Sequence, residues 1–274
     1  MATTAVDLRE KARLIRREII ESSTAAGSGH PSSSLSGVEL LVGLYFGGVL
    51  KYDPQNPTWP DRDRFILSKG HATPLLYAIL AEAGYFPVDQ LATLRQLGSP
   101  LEGHPNMRRL PGVEASTGSL GQGLSIGLGH ALAGRIDGRS YHVWVMVGDG
   151  ECDEGQVWEA AMAAAHHKVD SLTCIVDNNR MQQSGMVADV MNHMPLDEKW
   201  RAFHWHAIDI DGHDQDAVLR AYDEALRTRG RPTAIVAHTI KGKGVSFVEP
   251  DFTYHGKALT KEEAARALKE LGWT

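Results

Sequence analysis

Tyr141-His142-Val143-Trp144-Val145-Met146-Val147-Gly148-Asp149-Gly150-Glu151 reads as an apolar β-strand that breaks on an acid flanked by two glycines. A helical pattern follows from Glu154 to His167, then a second apolar strand over Leu172–Asp177 that runs into Asn178-Asn179. The alternation continues with a helix near Leu196–Phe203, a strand His206–Ile210, a helix Gln215–Arg229 and a strand Thr233–His238. These strands are continuous runs rich in Val and Ile, as expected where helices cover both sheet faces. The pattern predicts an α/β fold with a doubly wound, mainly parallel sheet and helices on both faces. In such sheets ligands bind beyond the carboxyl ends of the strands. Three segments fall there: Gly148-Asp149-Gly150, Asp177-Asn178-Asn179 and Lys241-Gly242-Lys243-Gly244.

Upstream, Leu8, Ala12, Ile15 and Ile19 mark one face of a helix ending near Gly27. Gly37–Leu50 reads as one buried helix, Tyr52–Asp63 as a loop, Arg64–Ser68 as a strand and Thr73–Ala83 as a helix. Residues 98–123 are irregular and dense in Gly, Pro and Ser; so long a loop in a compact chain usually serves function. A last helix is expected over Thr260–Leu271, and the 274 residues read as a single domain.

Composition narrows the function. Hydrophobic residues make up 42% and charged residues 23%, which excludes a disordered or fibrous chain. With 28 Lys plus Arg against 34 Asp plus Glu, the net charge is −6. No basic footprint for nucleic acid or an anionic membrane exists. Met1–Ile20 lacks an apolar signal core, and the run Leu40–Leu50 is too short to span a bilayer, which needs about 20 residues. Two cysteines, Cys152 and Cys174, make no disulfide framework. A cytoplasmic setting is expected.

The acid between glycines carries the chemistry. Glycines let the backbone turn sharply and let amides approach an anion, and the following helix offers its positive end. Asp149 would repel a phosphate unless a cation lay between them, so the turn suggests Mg²⁺ held against a diphosphate. Asn179 falls 30 residues later, after the neighbouring strand, where it adds a neutral amide oxygen.

Gly-Asp-Gly followed by Asn at this distance resembles the signature of thiamine diphosphate enzymes. The likeness extends along nearly the whole chain. Ser28-Gly29-His30-Pro31, Asn56–Phe65, Leu67-Ser68-Lys69-Gly70-His71, Gly103-His104-Pro105, Ser116–Gly123 and the segment around His255 are similar to the amino-terminal third of transketolase. The resemblance implies thiamine diphosphate with Mg²⁺, or Ca²⁺ or Mn²⁺ in its place, and metal ligation by Asp149, Asn179 and the carbonyl of Met181. It implies cofactor contacts from His71, Gly118, Leu120, Gly148, Gly150, Glu151, Lys241 and His255. His30, His71, His104 and His255 would handle protons, and Glu154 would be a buried acid linking two cofactor sites. Arg180-Met181 replaces the Gly and aliphatic residue of many relatives, a change that spares a backbone ligand. Imidazoles suit proton traffic at sugar hydroxyls near neutral pH.

In that family the glutamate that activates the cofactor lies in a second α/β domain, which these 274 residues do not contain. The resemblance therefore implies the amino-terminal subunit of a split transketolase, paired with a carboxyl-terminal subunit in a heterodimer or heterotetramer. It would move a two-carbon ketol unit from a ketose, or its phosphate, to an aldose. Other thiamine diphosphate chemistry, of the 1-deoxyxylulose-5-phosphate synthase or acyloin type, is the alternative. Gly123-Leu124-Ser125-Ile126-Gly127 also fits the nucleophile elbow of serine hydrolases, but that motif needs a preceding strand. Read instead as a helix start, Gly123, Gly127 and Ala131 would let another helix approach closely. His166, His167, His204 and His206 have no motif and are expected at the surface or in the core.

Overall fold

The computed structural model describes residues 7–273, Pro250 apart; the start of the Met1–Ile20 segment lies outside them. The chain opens with α1 (Leu8–Ala26), whose Asp7 cap accepts from Arg9 N and Glu10 N and which ends at left-handed Gly27. Then come α2 (Pro31–Leu35), α3 (Val38–Phe46), β1 (Arg64–Leu67) and α4 (Thr73–Glu82). A 3₁₀ turn (Val88–Thr93) leads into the long loop, and α5 (Gln122–Ile136) follows it. The second half alternates: β2 (Val143–Gly148), α6 (Gly155–His166), β3 (Leu172–Asn178), α7 (Val187–Val190), α8 (Leu196–Ala202), β4 (His206–Asp211), α9 (Gln215–Arg227), β5 (Thr233–His238) and α10 (Lys261–Glu270).

The five strands form one parallel sheet in the order β1-β2-β3-β5-β4. Alternate residues of each strand feed separate cores, as period-two geometry requires. Trp144, Met146, Ile175 and Ile235 pack under α1, α3, α4 and α9. Val143, Val145, Cys174 and Val236 pack under α5, α6 and α8. The doubly wound expectation therefore holds.

Two expectations need correcting. The predicted Gly37–Leu50 helix is shorter, and α2 precedes it as a separate buried turn. Pro31 opens α2 because its missing N–H costs nothing in the first helical turn. The glycines of α5 face the sheet rather than another helix: a Cβ on Gly127 would lie 2.4 Å from Val145 Cγ2, and one on Gly123 would meet Ser68 at 2.4 Å. Removing those side chains seats α5 against β2 and the end of β1.

Left-handed Lys168 and His204 follow directly on the carboxyl ends of α6 and α8. The Lys168 cation complements the dipole of α6.

Candidate active site

β1, β2, β3 and β5 end beside one another, and the loops leaving them wall a cleft of about 540 Å³. At its floor, Lys69 and Asp177 form a fully buried ion pair. Lys69 Nζ also donates to Ser33 O at 2.7 Å. Asp177 accepts from Ser36 Oγ at 2.5 Å and from Thr239 Oγ1. Burial alone would raise this carboxyl, but the Lys69 charge and these three donors hold it below the usual carboxylate value.

Asp149, one strand away, is treated differently. Its Oδ1 accepts from Gly150 N at 2.8 Å and its Oδ2 from Arg180 N, with no cationic side chain in direct contact. Only 2% exposed, it is pushed up to about 7, first by burial and then by the charge of Asp177. Asn179 and Met181 line the cleft with it, and Asn179 Oδ1 accepts from Met181 N at 3.1 Å. Among the described residues no three His, Cys, Asp or Glu side chains gather as a metal cluster. What is present is one desolvated carboxylate short of positive charge, an amide oxygen and nearby backbone. That donor set fits a hard divalent ion whose remaining ligands come from a phosphate.

Glu151 lines the cleft and is also tied into its wall. Its Oε1 accepts from Gly121 N at 2.9 Å and from Ser68 Oγ, and its Oε2 accepts from Gly148 N at 3.0 Å. Burial raises this carboxyl despite the three donors. With both oxygens engaged it fastens the 118–121 loop to the Asp149 turn. Glu154, implied as an acid buried where two cofactor sites of a dimer are linked, lines the same cleft and is exposed in the single chain.

The opposite wall is made of imidazoles. His30, His71 and His255 stand with ring centroids 5.0, 5.1 and 5.4 Å apart. Each is driven down from the ordinary histidine value, mainly by burial. The charges of Lys69 and Lys241 add to this at His71 and His255, Arg95 at His30. His30 falls to about 4 and His255 to about 3. Lys241, itself lowered to about 8 by burial and Lys69, lies 2.7 Å from His255 Nδ1. His104 stands on the other lip, packed over Gly118, whose φ of +143° and lack of Cβ admit the ring. Leu120 completes that side. The fold thus brings together His30, His71, His104, His255, Gly118, Leu120, Gly148, Asp149, Gly150, Glu151, Glu154, Asn179, Met181 and Lys241, all predicted from sequence.

Sequence reasoning missed the Lys69–Asp177 pair and Arg95. A lysine at the mouth of an apolar strand was the available signal for the first; nothing local marked the second. Ser125 sits in the first turn of α5, not on a strand-to-helix elbow, and its hydroxyl meets Gln156 Nε2 at 3.2 Å. The hydrolase reading fails on geometry.

An α/β sheet with a metal-ready acid turn at its carboxyl edge defines a binding domain for an anionic, diphosphate-bearing cofactor. Comparison with known proteins makes this specific. The family described as "Transketolase, thiamine diphosphate binding domain" matches residues 8–274, and the chain belongs to the transketolase family. It is 45% identical over 271 residues to the 6-deoxy-6-sulfo-D-fructose transketolase subunit SqwG of Clostridium sp. (strain MSTE9), covering 99% of this chain and 98% of that one. It is 41% identical over 266 residues to an apulose-4-phosphate transketolase subunit of Actinobacillus succinogenes, covering 97% and 96%. Among solved structures, the transketolase from Leishmania mexicana superposes with a TM-score of 0.92 at 32% identity, over 98% of this chain and 42% of that one. The chain thus spans two subunit-sized relatives almost fully, and 42% of the curated full-length human transketolase. His166, His167 and His204 are exposed and His206 pairs with Glu224 at 2.6 Å, as their lack of motif implied.

Proposed function

We propose that this chain is the thiamine diphosphate-binding subunit of a two-chain transketolase, a transferase that moves a two-carbon ketol unit from a ketose or ketose phosphate to an aldose. The observation that carries the reading is the three-imidazole wall facing Asp149, Asn179 and Met181 across one cleft. The two subunit-sized relatives support a separately encoded partner, which would bring the pyrimidine-binding domain and the activating glutamate. A heterotetramer built on a two-fold axis is the assembly we infer, with Glu154 at the join. All 274 residues would then form one diphosphate-binding domain. The two buried free cysteines suit a reducing cytoplasm, and no described helix is long and apolar enough to cross a membrane.

Asp149, Asn179 and the Met181 carbonyl would hold Mg²⁺, and Gly150 and His71 would contact the diphosphate. Once bound, thiamine diphosphate supplies the electron sink that lets a carbon–carbon bond next to a carbonyl break. The chain's own residues bind, orient and move protons. Because His255 is neutral and its Nδ1 accepts from Lys241, its proton sits on Nε2. His255 is therefore poised as a donor from Nε2. His30 is likewise neutral, so its imidazole can take or return a hydroxyl proton.

The test is reconstitution. The chain mixed with its candidate partner, Mg²⁺ and thiamine diphosphate should lengthen an aldose acceptor by two carbons, read by mass spectrometry. Comparable transfer by the chain alone would overturn the two-chain reading, and release of carbon dioxide from pyruvate without ketol transfer would overturn the reaction assigned.

A further inference from the structure

Arg95 has no catalytic assignment, yet its setting is unusual. Gln96 N donates to Thr93 O at 3.0 Å, closing a four-residue turn in which Leu94 has φ −48° and ψ 127° and Arg95 has φ +58°. That is a type II turn with arginine where glycine is easiest. The strain aims the guanidinium inward. Nη1 donates to Ser28 Oγ at 2.8 Å and Nη2 to Gly103 O at 3.3 Å. The guanidinium lies against Gly103, where a Cβ would come within 3.1 Å of Cζ. Ser28 is two residues before His30, and Gly103 immediately precedes His104. Nε is buried without a partner, and among the described residues no carboxylate pairs with Arg95.

We propose that Arg95 is a positioning residue: its planar fork ties the loop carrying His30 to the loop carrying His104 and so fixes the two imidazoles across the cleft from each other. The proposal deepens the transketolase reading and rests on it for the reaction concerned. Chemistry and geometry agree. A rigid two-armed donor bridges two acceptors in a way that a lysine cannot. An unneutralised charge beside both rings also disfavours their protonated forms. Burial and Arg95 lower both histidines; His104 and Lys241 add to the effect at His30, and its ring neighbours His71 and His255 carry no charge near neutral pH.

Three variants separate this from a merely structural role. Arg95→Gly relieves the turn while deleting the fork, so the chain should stay folded. Arg95→Lys restores charge but not the two-armed bridge. Arg95→Gln tests the arm without the charge. In the isolated chain, histidine NMR titration should show His30 and His104 protonating at higher pH in Arg95→Gly and Arg95→Gln, and near the parent value in Arg95→Lys. In the reconstituted enzyme, misplaced rings should lower kcat by about 10²-fold in Arg95→Gly, with cofactor affinity unchanged, because a misplacement of about 1 Å carries a loss of that size. Millimolar guanidinium ion should restore part of that activity. Unchanged titration of both rings together with parental kcat in Arg95→Gly would overturn the proposal. If the parent pair transfers no ketol unit at all, the functional reading fails, and the titrations alone still decide whether Arg95 governs the two rings.

Discussion

Asp149 and Asp177 end neighbouring parallel strands, joined by the hydrogen bond from Asp149 N to Asp177 O at 3.2 Å, and both are buried. Asp177 meets a lysine and two hydroxyls and is held low. Asp149 meets backbone amides alone and is pushed up. One side-chain type on one sheet edge thus becomes either a closed structural pair or an anion in want of a cation. The difference lies in whether a neighbouring segment delivers positive charge.

The strongest way to break this contrast is to take the cation from the closed pair. Lys69→Met leaves Asp177 buried and unpaired, and the chain should lose about 3–5 kcal/mol in urea denaturation. The double variant Lys69→Met, Asp177→Asn should recover most of that loss; parental stability in the single variant would show that the pair is not what holds the floor. Asp149→Asn tests the open acid. At 100 times Kd, Mg²⁺ with thiamine diphosphate should stabilise the parent chain by about 2.7 kcal/mol. In the variant that gain should vanish from a thermal melt, while the ligand-free melting temperature stays at or above the parent's because an unpaired buried charge has gone. A full ligand-induced shift in the variant would remove Asp149 from the metal.

A third acid sharpens the rule far from the cleft. Glu18 is buried on α1 with Oε2 unpartnered, and burial, then the neighbouring Glu82 carboxyl, raise it well above the ordinary value. A carboxyl raised in the folded state gives stability that is complete below its unfolded value of about 4.3 and is lost as pH rises through the folded value. Glu18→Gln should therefore raise the melting temperature in neutral and alkaline buffer and change it little in acid. A pH-independent effect would show that pairing, not burial, sets this group.

Much of this was legible in the sequence, for identifiable reasons. The strands over 143–148, 172–178 and 233–238 are apolar on both faces, so their runs were unbroken and their ends placed the Asp149 and Asn179 turns within a residue or two. The cleft histidines stood out as loop residues flanked by Gly or Pro. What stayed hidden is what depends on distant partners. Lys69 looks like an ordinary turn lysine until Asp177, 108 residues away, is folded against it. Nothing local reveals that Gly121 and Ser68 would engage an oxygen of the cleft acid Glu151.

The Lys69 node also imposes an order of assembly. Its partners Ser33 and Asp177 come from the start and the middle of the chain, and Thr239 from near the end closes over Asp177. The floor beneath the diphosphate is therefore finished only after three remote segments have met. A partly folded or truncated chain would present the Gly-Asp-Gly turn without that support, so cofactor retention becomes a readout of completed folding.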